Sequence, residues 1–272
     1  MCSACGTGRT LPEVSAEELA AYYPPSYGFL SAGGRLQQLR MDRALAAEPL
    51  RMLVAAGPGA LLDVGCGRGD LAAAFTRRGW RASGIEPSPE ACAVARSQGV
   101  DAHAGTLESV ELPGDAFDAV VMRHSLEHVP DPLGALAKVF GLLRPGGQLA
   151  VSVPNFDSWE RRRFGAAWFH LDLPRHRTHF VPGSLRQALE LGGFDVQSVE
   201  TAGDAGSLLA TLQYRVAGKL FSRSVPAVSL QYALGLALTP LRAALDRQAG
   251  GGPFLHAVAR RPERPGSDPE GA

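Results

Sequence analysis

In the stretch ALLDVGCGRGDL, residues 60–71, Gly65, Gly67 and Gly69 recur at every second position between two carboxylates, Asp63 and Asp70. Glycines spaced this closely let the main chain take left-handed angles and let a ligand approach it without meeting a Cβ atom. Further along, Glu86 closes the run RASGIE, and a carboxylate there can accept both hydroxyls of a ribose. Dinucleotides and S-adenosylmethionine are the two ligand classes that use such a loop. The dinucleotide fingerprint G-x-G-x-x-G would put its third glycine where this chain has Asp70, at a helix N-terminus that a pyrophosphate needs bare and positive. Asp63 adds a second negative charge. Both carboxylates repel a phosphate and suit a ligand that carries an ammonium and a sulfonium, which favours S-adenosylmethionine.

A hydroxyl acceptor of a methyl group needs a base, and histidine is the natural one near neutral pH. Three of the seven histidines, His170, His176 and His179, fall in one aromatic and basic segment, NFDSWERRRFGAAWFHLDLPRHRTHF; a fourth, His128, follows an earlier strand run. His176, His179 and His128 are the candidate bases. The alternative is that Arg175 and His176 pin this segment by hydrogen bonds to backbone carbonyls and to Asp172. Trp159, Phe164, Trp168 and Phe169 either line an acceptor pocket or pack the segment against the sheet. Cys2 and Cys5 form a C-x-x-C with no second pair or histidine nearby, so four zinc ligands are not at hand and no metal ligands are assigned.

The elements that must position these residues alternate regularly. Residues 16–57 read as a helical preamble, opened by a capping-box pattern at Ser15 and Glu18. Strand ALLDV leads to a helix over 70–78, and strand RASGIE to a helix over 89–98 with Ser88 as cap and Pro89 at its first position. VDAHA and FDAVVMR follow as strands. Asp131-Pro132 opens the next helix, RPGG ends it, and QLAVSVP is the fifth strand. Ser184 is read as the cap of a helix ending at Gly192-Gly193, FDVQSVET as the sixth strand and PFLHAVARR as the last. Strands alternating with helices imply a Rossmann-like, doubly wound, mostly parallel seven-stranded sheet, with a helical N-terminal extension and a helical insertion before the last strand.

Lys plus Arg equals Asp plus Glu, 27 each, so no nucleic-acid partner is announced. The N-terminus has no basic region followed by an apolar one, which predicts a cytoplasmic protein. The uncharged run Ser224 to Leu241 is interrupted by Pro226, Gln231, Gly235 and Pro240. It reads as a lid or dimer surface, with an interfacial membrane helix as the alternative. The expected divisions are 1–57 for the extension, 58–202 for the cofactor-binding core, 203–252 for the insertion, 253–261 for the last core strand and 262–272 for a disordered tail.

Taken together, LLDVGCGRGDLA, GIEPSPEACAVAR, FDAVVMRHSLEHVPDPLGAL and LLRPGGQLAVSVPN resemble the motifs of the class I S-adenosylmethionine-dependent methyltransferases. WFHLDLPRHRTHF, Trp168 to Phe180, is similar to a segment of their small-molecule and sugar methyltransferase branch. The N-terminal CSACG resembles the second half of the zinc ribbon that precedes the domain in that branch. The resemblance implies that Asp63 and the loop Gly65, Cys66, Gly67 and Gly69 contact the methionine part, and that Glu86, with Pro87, lies at the ribose. It also implies that Thr106 and Leu107 lie beside the adenine and Arg123 and His124 near the sulfonium. The expected function is methylation, on oxygen, of a small-molecule or glycan-like acceptor. A nicotinamide-nucleotide (NAD/NADP) oxidoreductase and a non-catalytic S-adenosylmethionine-binding protein are the alternatives.

Overall fold

Each of the predicted core strands takes its place in one sheet of the computed structural model, which describes residues 1–23, 35–47, 49–203, 205–217, 244–246, 248 and 250–263. A short strand β1 (Gly8–Arg9) precedes that sheet. Then come β2 (Ala60–Val64), β3 (Arg81–Glu86), β4 (Asp101–Ala104), β5 (Phe117–Arg123) and β6 (Leu143–Pro154), followed by β7 (Thr178–His179), β8 (Asp195–Ala202) and β9 (Phe254–Arg260). The seven-stranded order is β4-β3-β2-β5-β6-β9-β8; β2 to β6 pair in parallel, and β9 runs antiparallel to both β6 and β8. This is the Rossmann-like sheet expected, with its order reversing between β2 and β5. Ligands of such sheets bind outside the carboxyl ends of the strands at that reversal.

Side-chain alternation along β2 explains how one strand holds both layers together. Leu62 and Val64 face a core shared with α6 (Pro132–Leu142) and α8 (Pro182–Leu191). Leu61 faces the opposite core, shared with α2 (Arg35–Leu45), α3 (Leu50–Ala56), α4 (Asp70–Thr76) and α5 (Pro89–Ser97). Small residues Ala72, Ala73 and Ala74 let α4 lie close on the sheet, and Phe75 meets Trp80 edge-on at 5.4 Å. The caps at Ser88 and Asp131 form as read, accepting from the N–H groups of Ala91 at 3.2 Å and Gly134 at 3.1 Å.

Three local readings are corrected. α8 starts at Pro182, with Val181 as N-cap; Ser184 sits inside the first turn, where its hydroxyl accepts from the Val181 N–H at 3.0 Å. α4 stops at Thr76. The RPGG run does not end the preceding helix but lies in β6, which begins at Leu143, pairs with Phe117 and meets a register shift before Ala119. Gly146, at φ +78, supplies the left-handed turn that an L side chain would strain there.

The N-terminal extension contains α1 (Ala16–Ala20) with its Ser15 and Glu18 capping box. It also makes a contact the sequence pattern did not announce: β1 pairs antiparallel with β7, setting Gly8 opposite His179 and Arg9 opposite Thr178. Beyond β8 the insertion forms α9 (Ala205–Ala217). The run from Ser224 to Leu241, residues 24–34 and the expected tail from 264 lie outside the described residues. Among the described residues, no helix is long and apolar enough to cross a membrane.

Candidate functional site

Two arrangements stand at the carboxyl ends of the parallel strands. The first is a cradle made mostly of main chain. Gly65 and Cys66 both donate to the Ile85 carbonyl, at 2.8 and 3.0 Å, which ties the glycine loop across to β3. Gly65, Gly67 and Gly69 all take positive φ, at 79°, 54° and 77°. A Cβ on Gly65 would stand 2.9 Å from Ser125 and one on Gly69 2.8 Å from Ala95, whereas one on Gly67 would meet nothing within 4 Å. Gly65 and Gly69 are therefore required by packing, and Gly67 keeps a surface bare. Glu86 bridges the loop to the next helix, accepting from the N–H groups of Gly67 at 3.0 Å and Ser88 at 2.9 Å.

Asp63 lies beneath this loop, 3% exposed, and its carboxyl makes no hydrogen bond among the described residues. Burial pushes its carboxyl up to about 7; Arg123 partly opposes the shift and Glu86 adds to it. A desolvated carboxyl beside a bare loop is suited to a cationic group and hostile to a phosphate. Asp70, the other acid of the motif, is turned away and accepts from the side-chain amides of Gln37 at 2.8 Å and Gln98 at 3.2 Å. Cys66 does not reach the cradle surface either. It is buried with its thiol pressed against Gly84, where an added Cβ would come within 2.5 Å of the sulfur, and burial raises its pKa. Pro87 and Thr106 are exposed at the rim, Leu107 is buried beneath it, and His124 is exposed with φ +55.

The second arrangement is built from side chains. Glu127, 1% exposed, lies in a short turn after β5 beside His128, and the segment after β6 brings His176 against them, its ring 4.7 Å from that of His128. His176 Nδ1 lies 2.9 Å from the His170 carbonyl, and His128 Nδ1 lies 3.1 Å from the Arg175 carbonyl and 3.0 Å from the Tyr23 hydroxyl. A carbonyl only accepts, so each Nδ1 carries the hydrogen and each lone pair is left on Nε2. His176 Nε2 stands 3.9 Å from Glu127 Oε1 and 3.7 Å from Asp172 Oδ2. Both oxygens of Glu127 lack a hydrogen-bond partner, with His124 Nδ1 at 3.5 Å. Burial would push the Glu127 carboxyl up, but His124, His128 and His176 outweigh it and hold it low. Burial and the neighbouring His128 lower His176, against the pull of Glu127 and Asp172.

Acceptors without donors want a positive charge between them. Glu127, His128 and His176 offer ligand atoms within 4.8 Å of one another, and the shared occupant can be a proton or a divalent cation. Cys2 and Cys5 have no such company among the described residues.

The three histidines read as base candidates thus separate. His128 and His176 meet, while His179, three residues on, faces the N-terminal strand, with Nε2 2.9 Å from the Thr10 hydroxyl and its ring 4.9 Å from Phe156. Burial, then His176 and Arg161, depress its pKa to about 4. The pinning contacts are present as well: Nε of Arg175 donates to both carboxylate oxygens of Asp172, at 3.1 and 3.0 Å. Trp168 is 1% exposed and belongs to the packing. Glu127 was missed by the sequence reading. Its signal was an acid flanked by Leu126 and His128 directly after a buried strand.

A family model described as a methyltransferase domain matches residues 37–199. The chain is 42% identical over 179 residues to a ubiquinone biosynthesis O-methyltransferase of Xanthomonas campestris, covering 60% of this chain and 72% of that one. Among solved structures it resembles an S-adenosylmethionine-dependent methyltransferase from Archaeoglobus fulgidus, with a TM-score of 0.55, 21% identity and coverage of 82% and 94% of the two chains. A 1,6-didemethyltoxoflavin-N1-methyltransferase from Burkholderia thailandensis, solved with S-adenosylhomocysteine, aligns with a TM-score of 0.52 and 18% identity, covering 94% and 95%.

Proposed function

The chain belongs to the class I S-adenosylmethionine-dependent methyltransferases, and we propose that it transfers the cofactor's methyl group to an oxygen of a small-molecule acceptor. The observation that carries the choice of oxygen is the cluster of Glu127, His128 and His176, in which both oxygens of the buried Glu127 lack a hydrogen-bond partner. An alcohol or phenol must lose its proton on methylation, and this cluster is built to take it. The Xanthomonas relative is named as an O-methyltransferase, in keeping with that chemistry.

Bound S-adenosylmethionine supplies an electrophilic methyl group on a sulfonium; the protein supplies alignment, exclusion of water and the base. In this reading Asp63 takes the ammonium of the methionine part, and the bare face of Gly67 lets that part lie on the loop. Glu86 keeps lone pairs for the ribose hydroxyls beyond the two N–H groups it already accepts. Leu107, with Thr106 and Pro87 at the rim, borders the adenine, and Arg123 and His124 border the sulfonium. Cys66 packs the loop. The acceptor proton passes to Nε2 of His176 or His128, and the buried Glu127 carboxylate holds the resulting imidazolium. His179 keeps the segment in place through Thr10. The core is then 58–202 with 253–261, and the PRHRTHF segment supports its placement in the small-molecule branch.

A divalent cation in the same cluster is the second reading, favoured by the two unpartnered oxygens of Glu127. It would lower the pKa of a bound acceptor hydroxyl instead of removing the proton by an imidazole. Metal-free protein, prepared with a chelator and checked by elemental analysis, separates the two. Full methyl transfer to a panel of simple phenols leaves the imidazole as base, whereas loss restored by added magnesium or zinc installs the cation. Failure to gain 14 Da on any phenol or sugar, or a gain confined to amines, would remove the proposal of oxygen transfer.

A further inference from the structure

The four cysteines fall into two pairs that differ in setting. Cys66 and Cys92 are buried, and burial raises both thiols above their ordinary range, which leaves them as inert packing groups. Cys2 is exposed and Cys5 half-buried, and the mechanism above uses neither. The turn that carries them is closed by main chain: the Cys2 N–H donates to the Thr7 carbonyl at 2.8 Å, and the Gly6 N–H donates to the Cys2 carbonyl at 3.0 Å. Gly6 takes φ +75, a left-handed angle that sends the chain onward into β1. Within this turn the Cys5 thiol donates to the Thr7 hydroxyl at 3.2 Å, and the Cys2 thiol lies within hydrogen-bonding reach of the Cys5 sulfur. Both cysteines edge a cavity of about 430 Å³ lined also by Leu133, Phe180 and Leu191, which gives a small molecule a way to them.

The thiolate, not the thiol, is the nucleophile, so reactivity follows the sulfur that its surroundings keep ionised. The Thr7 hydroxyl, which can turn to donate once the sulfur is charged, holds the Cys5 thiol below its ordinary range, helped by the Thr7 N–H and the Cys2 thiol. No histidine or carboxylate completes a metal set around the two sulfurs among the described residues. We propose that Cys2 and Cys5 are a redox dithiol that a small-molecule disulfide converts to an intramolecular disulfide. The Cys5 thiolate attacks one sulfur of the small disulfide, forming a mixed disulfide and releasing one small thiolate, which takes up the proton that Cys5 gave up. The Cys2 thiolate then attacks the Cys5 sulfur, closing the Cys2–Cys5 bond and releasing the second small thiol. Two protein thiols are oxidised, one disulfide is reduced to two thiols, and the exchange runs backward in excess thiol. The product closes the turn at the root of β1, the strand that sets Gly8 opposite His179 and leads to Thr10 on the His176 carbonyl.

The test treats the reduced full chain with excess glutathione disulfide and reads its intact mass. Wild type should lose two hydrogens and retain no glutathione, peptide mapping should join Cys2 to Cys5, and Cys66 and Cys92 should stay as thiols. Cys2→Ser removes the second step, so one glutathione should remain on Cys5 until dithiothreitol releases it. Cys5→Ser should take up glutathione on Cys2 about tenfold more slowly than Cys2→Ser does on Cys5. Thr7→Val should slow the wild-type reaction about threefold at neutral pH, because a higher pKa lowers the thiolate fraction more than it raises the nucleophilicity. An unreacted wild type overturns the proposal, as does a lasting glutathione adduct, a disulfide mapped elsewhere, or zinc that stays on the reduced protein and shields both thiols. Equal rates for Thr7→Val and wild type, or faster uptake on Cys2 than on Cys5, overturn Cys5 as the attacking thiol. None of these readouts requires methyl transfer, so they decide the matter whatever the acceptor.

Discussion

The two halves of the site are held in place by different means. The glycine cradle is mostly main chain tied to neighbouring main chain: Gly65 and Cys66 donate to the Ile85 carbonyl and Gly105 to the Glu86 carbonyl, while Gly67 donates to the Glu86 carboxylate. The histidine cluster is side chain held by segments far apart in sequence. Tyr23 reaches His128, Thr10 reaches the His176 carbonyl at 2.5 Å, and Arg177 reaches the Val14 carbonyl at 3.1 Å. A backbone cradle tolerates most side-chain changes except at its glycines and its one buried acid. A side-chain cluster concentrates its chemistry in three residues, and the contacts that support it are each worth little. On the proposed reading, the cradle serves the cofactor whatever the acceptor, and the cluster is where an acceptor is chosen.

The strongest challenge to that contrast falls on Glu127. Replacing it with Gln removes the buried carboxylate that His128 and His176 share, and turnover should fall about 10²–10⁴-fold, the usual reach of general base catalysis, while cofactor affinity by calorimetry stays at the wild-type value. A matching loss of cofactor affinity would mean that the halves are one unit. Next in size is Asp63. Its carboxyl titrates near 7 because burial penalises the charge, so a cationic ligand must first have that proton removed. Affinity for S-adenosylmethionine should therefore rise as pH increases through 7 and level off above it. Asp63→Asn should lose about 1–3 kcal/mol of binding and flatten this rise. Calorimetry across the pH range reads both.

Glycine substitutions sharpen the comparison within the cradle itself. Gly69→Ala places a Cβ against Ala95 at a left-handed φ and should cost about 1–3 kcal/mol of stability, read as a lower melting temperature. Gly67→Ala has open space around its Cβ and pays only the backbone term of about 1 kcal/mol, yet it should weaken cofactor binding as strongly as Asp63→Asn. An unchanged cofactor affinity in Gly67→Ala would take the ligand off that loop.

The same division decides what could be read from the sequence. The cradle was legible because its parts are contiguous: a strand, three glycines, a helix, and an acid at the end of the next strand. The places of Asp63 and Glu86 and the parallel core of the sheet follow from local pattern and from the rule that alternating strands and helices wind in parallel, whereas the strand order, with β9 antiparallel between β6 and β8, rests on long-range pairing. Asp70 was placed in the right element but given the wrong task, since Gln37 and Gln98 reach it from other helices. In the cluster, residue types were legible and partners were not. The pairing of His128 with His176, the separation of His179 and the joining of β1 to β7 all depend on contacts between distant segments. Ser184 illustrates the same limit at short range, because Pro182 started the helix before the expected cap.

The smallest effect belongs to Thr10, and it tests whether support can be removed without touching the chemistry. Its hydroxyl gives its hydrogen to the His176 carbonyl and so accepts from Nε2 of His179, which fixes both residues on their shared segment. Thr10→Val keeps the shape and removes both bonds, at about 0.5–1.5 kcal/mol each before any repacking. Melting temperature should drop by a few degrees, while turnover with a saturating acceptor stays near wild type, because Glu127 and His128 are held by other contacts. Acid behaviour supplies an independent reading of the same region. His179 has a folded pKa of about 4, below its ordinary value of 6.5, chiefly through burial, so the folded protein binds this proton less readily than the unfolded chain. The stability it contributes is present above 6.5 and is lost as pH falls from there toward 4. His179→Gln should flatten that acid limb, and Thr10→Val should leave its direction unchanged. If Thr10→Val instead lowered turnover as far as Glu127→Gln does, β1 would be part of the catalytic cluster and the two halves would no longer divide into chemistry and support.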